Sequence, residues 1–565
     1  MSRRRLLLVA VLLGCSATVV MARSVQLMVL GHQRYQRLAQ RQHERKLEVP
    51  SRRGDIRSAD GYLLACSAER TAIQVDTRLL VYPELFCRAA ASVLGADPEQ
   101  MLARLETGPR AVWLAQRVSR EQAEAVRDLA PGAIALVPDS ERLYPLGSVA
   151  AAAVGFTGRE ELQTVGRSGF EHGYDQMLGG EPEQYLAIHD AVQRQLRLER
   201  LHVGRAGYDI VLTLNARLQT SCERELRKTI STYAATSGSA VVLDPHTGHV
   251  LALASVPSFD PKRPATVSPE GWRLRPVQDA WEPGSTIKPI VAIGALALEH
   301  ISGSELFDCR RRGIDVAGVW IRDHADPGVY NLDQVIAQSA NAGIVTVAQA
   351  MPPASLHQVL RAFGFGRRPG LDFPAETSGI LPDPKKWSRL SRAGLALGQE
   401  LTASPLQVAV AYAALANGGW LPRPRLVLSA SGDAALVDGE PSWHARVLSE
   451  PMARRATDML ELVVLEGTGR LAHVPGYRIA GKTGTAQRAV PGGFDEEHHV
   501  AWFAGFLPLP HPRAVIVVAV EDPREDYWAS SVAAPCFARI AEEAMRILRI
   551  PALTEANGSG PESRT

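Results

Sequence analysis

The chain has 565 residues, enough at roughly 150 residues per domain for three or four modules and at least one large core. Hydrophobic residues make up 46% and charged residues 22%, which excludes a disordered chain and a multi-span membrane protein. Lys and Arg total 62 against 60 Asp and Glu, a formal net charge of +2, so there is no chain-wide basic footprint for nucleic acid.

Met1-Ser2-Arg3-Arg4-Arg5 precedes an uncharged run from Leu6 to Ala22, about 26 Å long as a helix. The apolar pattern resumes after Arg23 and reaches Leu30, so residues 6–30 are predicted to cross a membrane once, with Arg23 snorkelling. Three arginines ahead of the span put residues 1–5 in the cytoplasm and the bulk of the chain outside. Two processed forms compete with this anchor: Leu12-Leu13-Gly14-Cys15 resembles a lipoprotein cleavage box, and Val20-Met21-Ala22 resembles the end of a signal peptide. The apolar run continues seven residues past Cys15, which favours the uncleaved form. The cysteines Cys15, Cys66, Cys87, Cys222, Cys309 and Cys536 include no Cys-x-x-Cys pair and no metal-ligand spacing. Five lie beyond the span, an odd number that cannot pair completely even in an oxidising compartment.

Residues 36–225 mix short alternating strands such as Ala72-Ile73-Gln74-Val75, amphipathic helices such as Ser119 to Leu129, and Gly/Pro breaks, and are expected to form an α+β body. A strand from Gly207 and a helix from Asn215 to Tyr233, with Leu218, Cys222, Leu226 and Ile230 on one face, suggest a hinge. Beyond it, Ser239 to Ser255 reads as a hairpin turning between Asp244 and Gly248. Helices are predicted over Ser285–Glu299, Asn331–Ala350 and Leu356–Phe363. Strands follow over Tyr477–Ala480, His499–Leu507 and Ala514–Glu521, with a closing helix over Pro535–Leu548. That order predicts helices packed on an antiparallel sheet over residues 237–550. Residues 551–565, without an apolar face, are expected to be a disordered tail.

Chemistry gathers in three places. In Trp281-Glu-Pro-Gly-Ser-Thr-Ile-Lys-Pro, Ser285 and Lys288 are three apart at the start of an apolar helix and so share a face. A serine hydroxyl needs an adjacent base, and a lysine serves when burial or a second cation keeps it neutral. In Gln338-Ser-Ala-Asn-Ala-Gly, the Ser339 hydroxyl can relay a proton, and the Asn341 amide can hold a substrate carbonyl or bond the lysine. In Ile479-Ala-Gly-Lys-Thr-Gly-Thr-Ala, Lys482, Thr483 and Thr485 line an otherwise apolar strand, and Gly484 leaves room for a second backbone. An edge strand of this composition can pair with an extended peptide and receive its carboxylate. Each motif alone has a plain reading as a helix cap or a strand-end turn.

Ser-x-x-Lys, Ser-x-Asn and Lys-Thr-Gly in this order resemble the signature of penicillin-binding proteins and serine β-lactamases. The wider chain resembles the class B penicillin-binding proteins of the division-specific FtsI type. The resemblance is carried by Arg53-Gly-Asp-Ile, Gly61-Tyr-Leu-Leu-Ala, Tyr144-Pro-Leu-Gly, Gly155-Phe-Thr-Gly, Ser168-Gly-Phe-Glu, Tyr174-Asp175, Pro257-Ser-Phe-Asp-Pro and Ser404-Pro-Leu-Gln. Two departures stand out: Ser58-Ala59-Asp60 replaces the usual Asp-Arg-Asn, and Glu400 occupies a position where many members have glycine. The resemblance implies a transpeptidase domain related to serine β-lactamases, an antiparallel sheet with a helical subdomain, preceded by an elongated α+β pedestal of the dimerisation type and one membrane helix.

The resemblance further implies acyl transfer on peptidoglycan stem peptides ending in D-Ala-D-Ala, at the division septum of a bacterial plasma membrane. Ser285 is then the nucleophile, Lys288 its base and Ser339 the relay, with Asn341 in the site. Lys482, Thr483 and Thr485 hold the substrate carboxylate, and the N–H groups of Ser285 and Thr485 form an oxyanion hole. β-Lactams are expected to acylate the same serine, an FtsW-type glycan polymerase and other divisome proteins are expected partners, and no cofactor or metal is implied. A D,D-carboxypeptidase, a β-lactamase, an elongation-specific transpeptidase and a non-catalytic scaffold remain alternatives. Asp495-Glu-Glu-His-His499 invites a metal reading, but adjacent histidines on a strand face opposite ways, which favours a polar hairpin tip. The basic stretch Arg194–Arg205 is interleaved with Gln, Leu and Glu and suits a solvated strand.

Overall fold

The computed structural model describes residues 3–30, 44–160, 162–189, 195–431, 443–490 and 493–552. From residue 553 on, the expected tail lies outside the described residues, as do residues 1–2 of the expected cytoplasmic segment. The chain forms two compact units that interleave in sequence. One is Met1–Arg53, Glu69–Glu141 and Gly179–Gly207, and the other is Gly54–Ala68, Arg142–Leu178 and Tyr208–Thr565.

In the first unit, Arg3–Val25 is an α-helix that continues as a π-helical turn over Gln26–Leu30. Within it, Leu7–Val29 is long and apolar enough to cross a membrane. Helices Pro83–Leu94, Pro98–Thr107 and Arg120–Leu129 begin at local signals. Prolines occupy the first turn of two of them, the Asp97 carboxylate caps the second, and Ser119 with Gln122 forms a capping box on the third. Their apolar faces bury Phe86, Leu105 and Val126 against Ile73 and Val75. A separate antiparallel sheet joins Glu44–Val49, Glu183–His189 and Gln195–His202.

The second unit is built on a five-stranded antiparallel sheet. Its chain order is helix α1 (Ala216–Thr232), β1 (Ser237–Leu243), β2 (Val250–Val256), helices α2 (Lys288–Ala297), α3 (Leu332–Ala337), α4 (Asn341–Ala350), α5 (Pro405–Ala416) and α6 (Glu450–Leu465), β3 (Ala480–Val490), β4 (Gly493–Leu507), β5 (Ala514–Glu521) and helix α7 (Ala533–Ile547). The spatial order is β2-β1-β5-β4-β3, which leaves β3 at an edge. Strand β5 is apolar on both faces because both are covered: Val515, Val517 and Ala519 face the core of α2, α4 and α5, while Ile516, Val518 and Val520 face the core of α1 and α7. Each such fully buried Val or Ile contributes about 1.5–3 kcal/mol of transfer free energy.

Two expectations change here. The helix over 215–233 is not a hinge: the face bearing Leu218, Cys222 and Leu226 packs into the core on β1, β2 and α7. The single helix expected over Asn331–Ala350 is two, α3 and α4, because Ser339 is left-handed (φ 58°) and Ala340 extended, which ends one helix before the next begins. The segments Gly54–Ala68 and Arg142–Leu178 belong to this unit and bring most of the pedestal motifs with them. Ile56 and Arg57 pair in parallel with Ile210 and Val211, and Leu64, Tyr144, Phe156 and Phe170 enter the main core. Buried Arg142 donates to Glu171 Oε1 at 2.7 Å and to the Gly54 carbonyl at 2.8 Å. Such a pair adds little net stability when intact, yet removing one partner costs about 3–5 kcal/mol. The departing residue Asp60 has its own work, accepting from Ser58 Oγ at 2.8 Å and from the Ala216 N–H, at the start of α1, at 2.8 Å.

Candidate active site

Ser285 sits on a tight 3-10 turn, Gly284–Ile287, that runs straight into α2. Gly284 has φ 55°, a left-handed value that glycine adopts without strain, and its N–H donates to the Gly398 carbonyl at 3.2 Å. Contact there is tight enough that a Cβ on Gly398 would lie 2.0 Å from Gly284 O. Thr286 Oγ1 bonds Pro283 O at 2.8 Å, and the buried Tyr412 hydroxyl donates to Thr286 O at 2.8 Å, so the turn is braced from the α5 side. Pro289 falls in the first helical turn, where its missing N–H is not needed.

One turn along, Lys288 is fully buried. Its ammonium donates to Asn341 Oδ1 at 2.6 Å, to Ser339 O at 2.7 Å and to Ser339 Oγ at 3.2 Å. Burial lowers its pKa to about 7, against the opposing pull of Asp323 and then Cys309. Near neutral pH a large share of this lysine is therefore free base, which is the state a proton acceptor needs. The acceptors converge because of the break between α3 and α4. Ser339 takes φ 58° after the end of α3, and the Ala340 N–H closes back on Val335 O at 2.9 Å, the arrangement of a left-handed helix C-cap. That conformation turns both the carbonyl and the hydroxyl of Ser339 toward Lys288. Asn341 opens α4, and the Asp323 carboxylate accepts from the N–H groups of Asn341 and Ala342, each at 2.9 Å. Asn341 Nδ2 donates to Arg322 O at 2.8 Å, which fixes the amide with its oxygen toward the lysine.

Edge strand β3 closes the other side. Lys482 is fully buried, and burial followed by repulsion from Lys288 holds its pKa well below the ordinary lysine value. Its Nζ donates to Thr483 O at 3.1 Å. Thr483 Oγ1 shares a hydrogen bond of 2.7 Å with Thr468, and Thr485 Oγ1 accepts from the Ala529 N–H at 3.1 Å. Gly484 is required by close approach: a Cβ there would lie 2.7 Å from Pro283 O and 2.9 Å from Thr286 Cγ2.

A cleft of about 600 Å³ is lined by Ser285, Ser339, Asn341, Thr483 and Thr485 together with His324, Gln399, Gln487, His499, Tyr527 and Trp528. The His499 ring stacks on Tyr527 with centroids 4.3 Å apart, and Trp528 adjoins Tyr527 at 5.1 Å, forming an aromatic wall. Of the residues in the three chemical motifs, Ser285, Ser339, Asn341, Thr483 and Thr485 line this one cleft, while buried Lys288 is bonded to Ser339 and Asn341 and buried Lys482 to Thr483. Sequence reasoning missed Asp323, Thr468, Tyr412 and the aromatic wall. Asp323 has no local signal, since it caps a helix 18 residues away, and an aromatic pair such as Tyr527-Trp528 in a loop is the one cue that was available. Glu400, at φ 61°, stays in place of glycine with its N–H bonded to Glu282 Oε1 at 2.9 Å. Side chains at 495–497 of the suspected metal segment lie outside the described residues, while His498 Nε2 is 3.7 Å from Asp522.

A serine on a braced turn, a buried lysine of depressed pKa, a Ser-x-Asn corner and a Lys-Thr-Gly edge strand are the groups that a serine acyltransferase needs. Residues 238–542 match the penicillin binding protein transpeptidase domain, and residues 48–212 match the penicillin-binding protein dimerisation domain. The chain belongs to the penicillin-binding protein transpeptidase family. Peptidoglycan D,D-transpeptidase FtsI of Escherichia coli is 33% identical over 512 residues, 89% of this chain and 85% of that one. Probable peptidoglycan D,D-transpeptidase PbpC of Pseudomonas aeruginosa is 30% identical over 553 residues, 97% of this chain and 96% of that one. The crystal structure of penicillin binding protein 3 from Mycobacterium tuberculosis, complexed with aztreonam, aligns with TM-score 0.68 at 27% identity, covering 91% of this chain and 98% of that one. Within its family the chain is a class B, FtsI-type member, a serine-type D,D-transpeptidase.

Proposed function

We infer that this enzyme, anchored by its N-terminal helix with the bulk outside the plasma membrane, cross-links peptidoglycan stem peptides at the division septum. The observation that carries the chemistry is the placement of Lys288 one helical turn from Ser285, buried and held by Ser339 and Asn341. Ser285 Oγ attacks the penultimate carbonyl of a D-Ala-D-Ala terminus while neutral Lys288 takes its proton. The N–H groups of Ser285 and Thr485 receive the oxyanion, and Thr483, Thr485 and Lys482 receive the terminal carboxylate. Ser339 passes the proton to the departing D-alanine, leaving an acyl-enzyme that an amine from a neighbouring strand resolves. A β-lactam acylates Ser285 by the same route. The septal role and an FtsW-type polymerase partner rest on likeness to the E. coli FtsI protein.

The chemistry is tested by supplying the full chain in detergent with a D-alanyl ester or thioester donor and an amine acceptor. Amide product is expected, and hydrolysis alone would point to a carboxypeptidase. Depletion in the cell is expected to give filaments, whereas round cells would place the enzyme in elongation.

A further inference from the structure

Beside the cleft lies a second pocket of about 340 Å³, and Gln487 lines both. Its wall includes Glu282, three residues before the nucleophile, with Asp279, Glu521, Arg273 and Thr402. The charges are not equally matched. Asp279 is paired with both Arg273 and Arg275, the latter at 2.8 Å, and Glu521 Oε2 accepts from Ser237 Oγ at 2.6 Å. Glu282, only 6% exposed, uses Oε1 on the Glu400 N–H, while its Oε2 has no hydrogen-bond partner among the described residues. A buried carboxylate oxygen with no donor is costly and calls for a cation or a proton. The transfer reaction brings both, because its second substrate arrives as an ammonium and must lose a proton before it can attack.

We propose that this pocket is the subsite for the acceptor amine, with the Glu282 carboxylate as the group that binds the incoming ammonium and takes its proton. The proposal rests on the acyl-enzyme reading above and names what resolves that intermediate. Glu282 Oε2 accepts one proton from the R–NH3⁺ group, and the freed nitrogen lone pair forms the N–C bond to the acyl carbon on Ser285. The C–Oγ bond then breaks. The second nitrogen proton passes through Lys288 to Ser285 Oγ, and the proton on Glu282 leaves to solvent. Burial pushes the Glu282 carboxyl up to about 7, against the lowering effect of the Glu400 N–H it accepts from, so it can exchange a proton near neutral pH. Glu400, Asp279, Glu521, Arg273 and Arg275 are the other charged groups that face it, and the two arginines are already paired with Asp279.

The test separates the two half-reactions in the full chain, using labelled penicillin for acylation and a D-alanyl thioester donor with D-alanine as the amine for transfer. In Glu282→Gln, the ratio of amide product to hydrolysis is expected to fall at least ten-fold. Penicillin acylation, which does not use the acceptor amine, is expected to stay within about three-fold. Thr402→Lys, which puts an ammonium in the pocket without touching the cleft lining, is expected to lower the same ratio. An unchanged ratio in both variants would overturn the proposal. So would acylation and transfer falling together in Glu282→Gln, since the carboxylate would then only brace the Ser285 turn. Absence of acylation in the unmodified chain would instead reject the acyl-enzyme reading itself.

Discussion

The Ser339 carbonyl accepts a hydrogen bond from Lys288 at 2.7 Å while residue 339 holds φ 58°. A residue with a Cβ takes on about 1–2 kcal/mol of strain in that conformation. Here the strain aims two oxygens of one residue at one buried amine, so backbone geometry and proton chemistry are coupled at a single position.

That coupling can be split by two substitutions. Ser339→Gly removes the strain and is expected to raise stability by about 1 kcal/mol, whereas Ser339→Ala keeps it. Both lose the hydroxyl, and both are expected to slow acylation by labelled penicillin about 100-fold or more. Thermal unfolding beside acylation rates checks the pair, and normal acylation in either variant would count against the relay.

Asp323 works at one remove, as the cap of α4 and as a negative charge near Lys288. Asp323→Ala is expected to cost about 1 kcal/mol as a lost cap. The same change removes an influence that raises the Lys288 pKa, so burial takes it below about 7. The rising limb of acylation against pH should therefore move to lower pH. A limb that stays put, or moves upward, would show that Lys288 does not feel this carboxylate.

The three motifs were legible because each needs particular side chains at fixed local spacing, and the sheet was legible because β5 is a short continuous apolar run, as a strand buried on both faces must be. The break at Gln338–Ala340 was not, since Leu332 to Ala350 keeps a helical apolar pattern and only the left-handed turn at Ser339 ends α3. Asp323 escaped for a related reason, as a cap supplied through tertiary structure leaves no mark beside the helix it serves. The affiliation of Gly54–Ala68 and Arg142–Leu178 with the catalytic unit was equally hidden. It is set by pairings such as Ile56 with Ile210, which only the folded chain brings together.

Away from the site, Glu223 on α1 is buried, with Oε1 accepting from Gln219 Nε2 and from the Ala150 N–H, each at 2.8 Å. Burial raises its pKa from 4.5 to about 7. A carboxyl raised on folding lends stability that is complete below pH 4.5 and is lost as pH climbs through 7. Glu223→Gln keeps an acceptor for both donors without the charge. It is expected to be more stable than the parent at pH 8 by on the order of 2 kcal/mol, with the gap closing toward pH 4.5. Denaturant unfolding at pH 5 and 8 measures this, and a gap independent of pH would refute it.

Everything proposed for the site depends on Ser285 forming a covalent bond. Intact-mass measurement of the full chain after incubation with a penicillin, beside Ser285→Ala, reads that bond directly. One adduct per chain is expected, carried by the peptide containing Ser285 and missing from the alanine variant. An adduct that persists in Ser285→Ala, or a parent chain that takes none, would contradict the assignment.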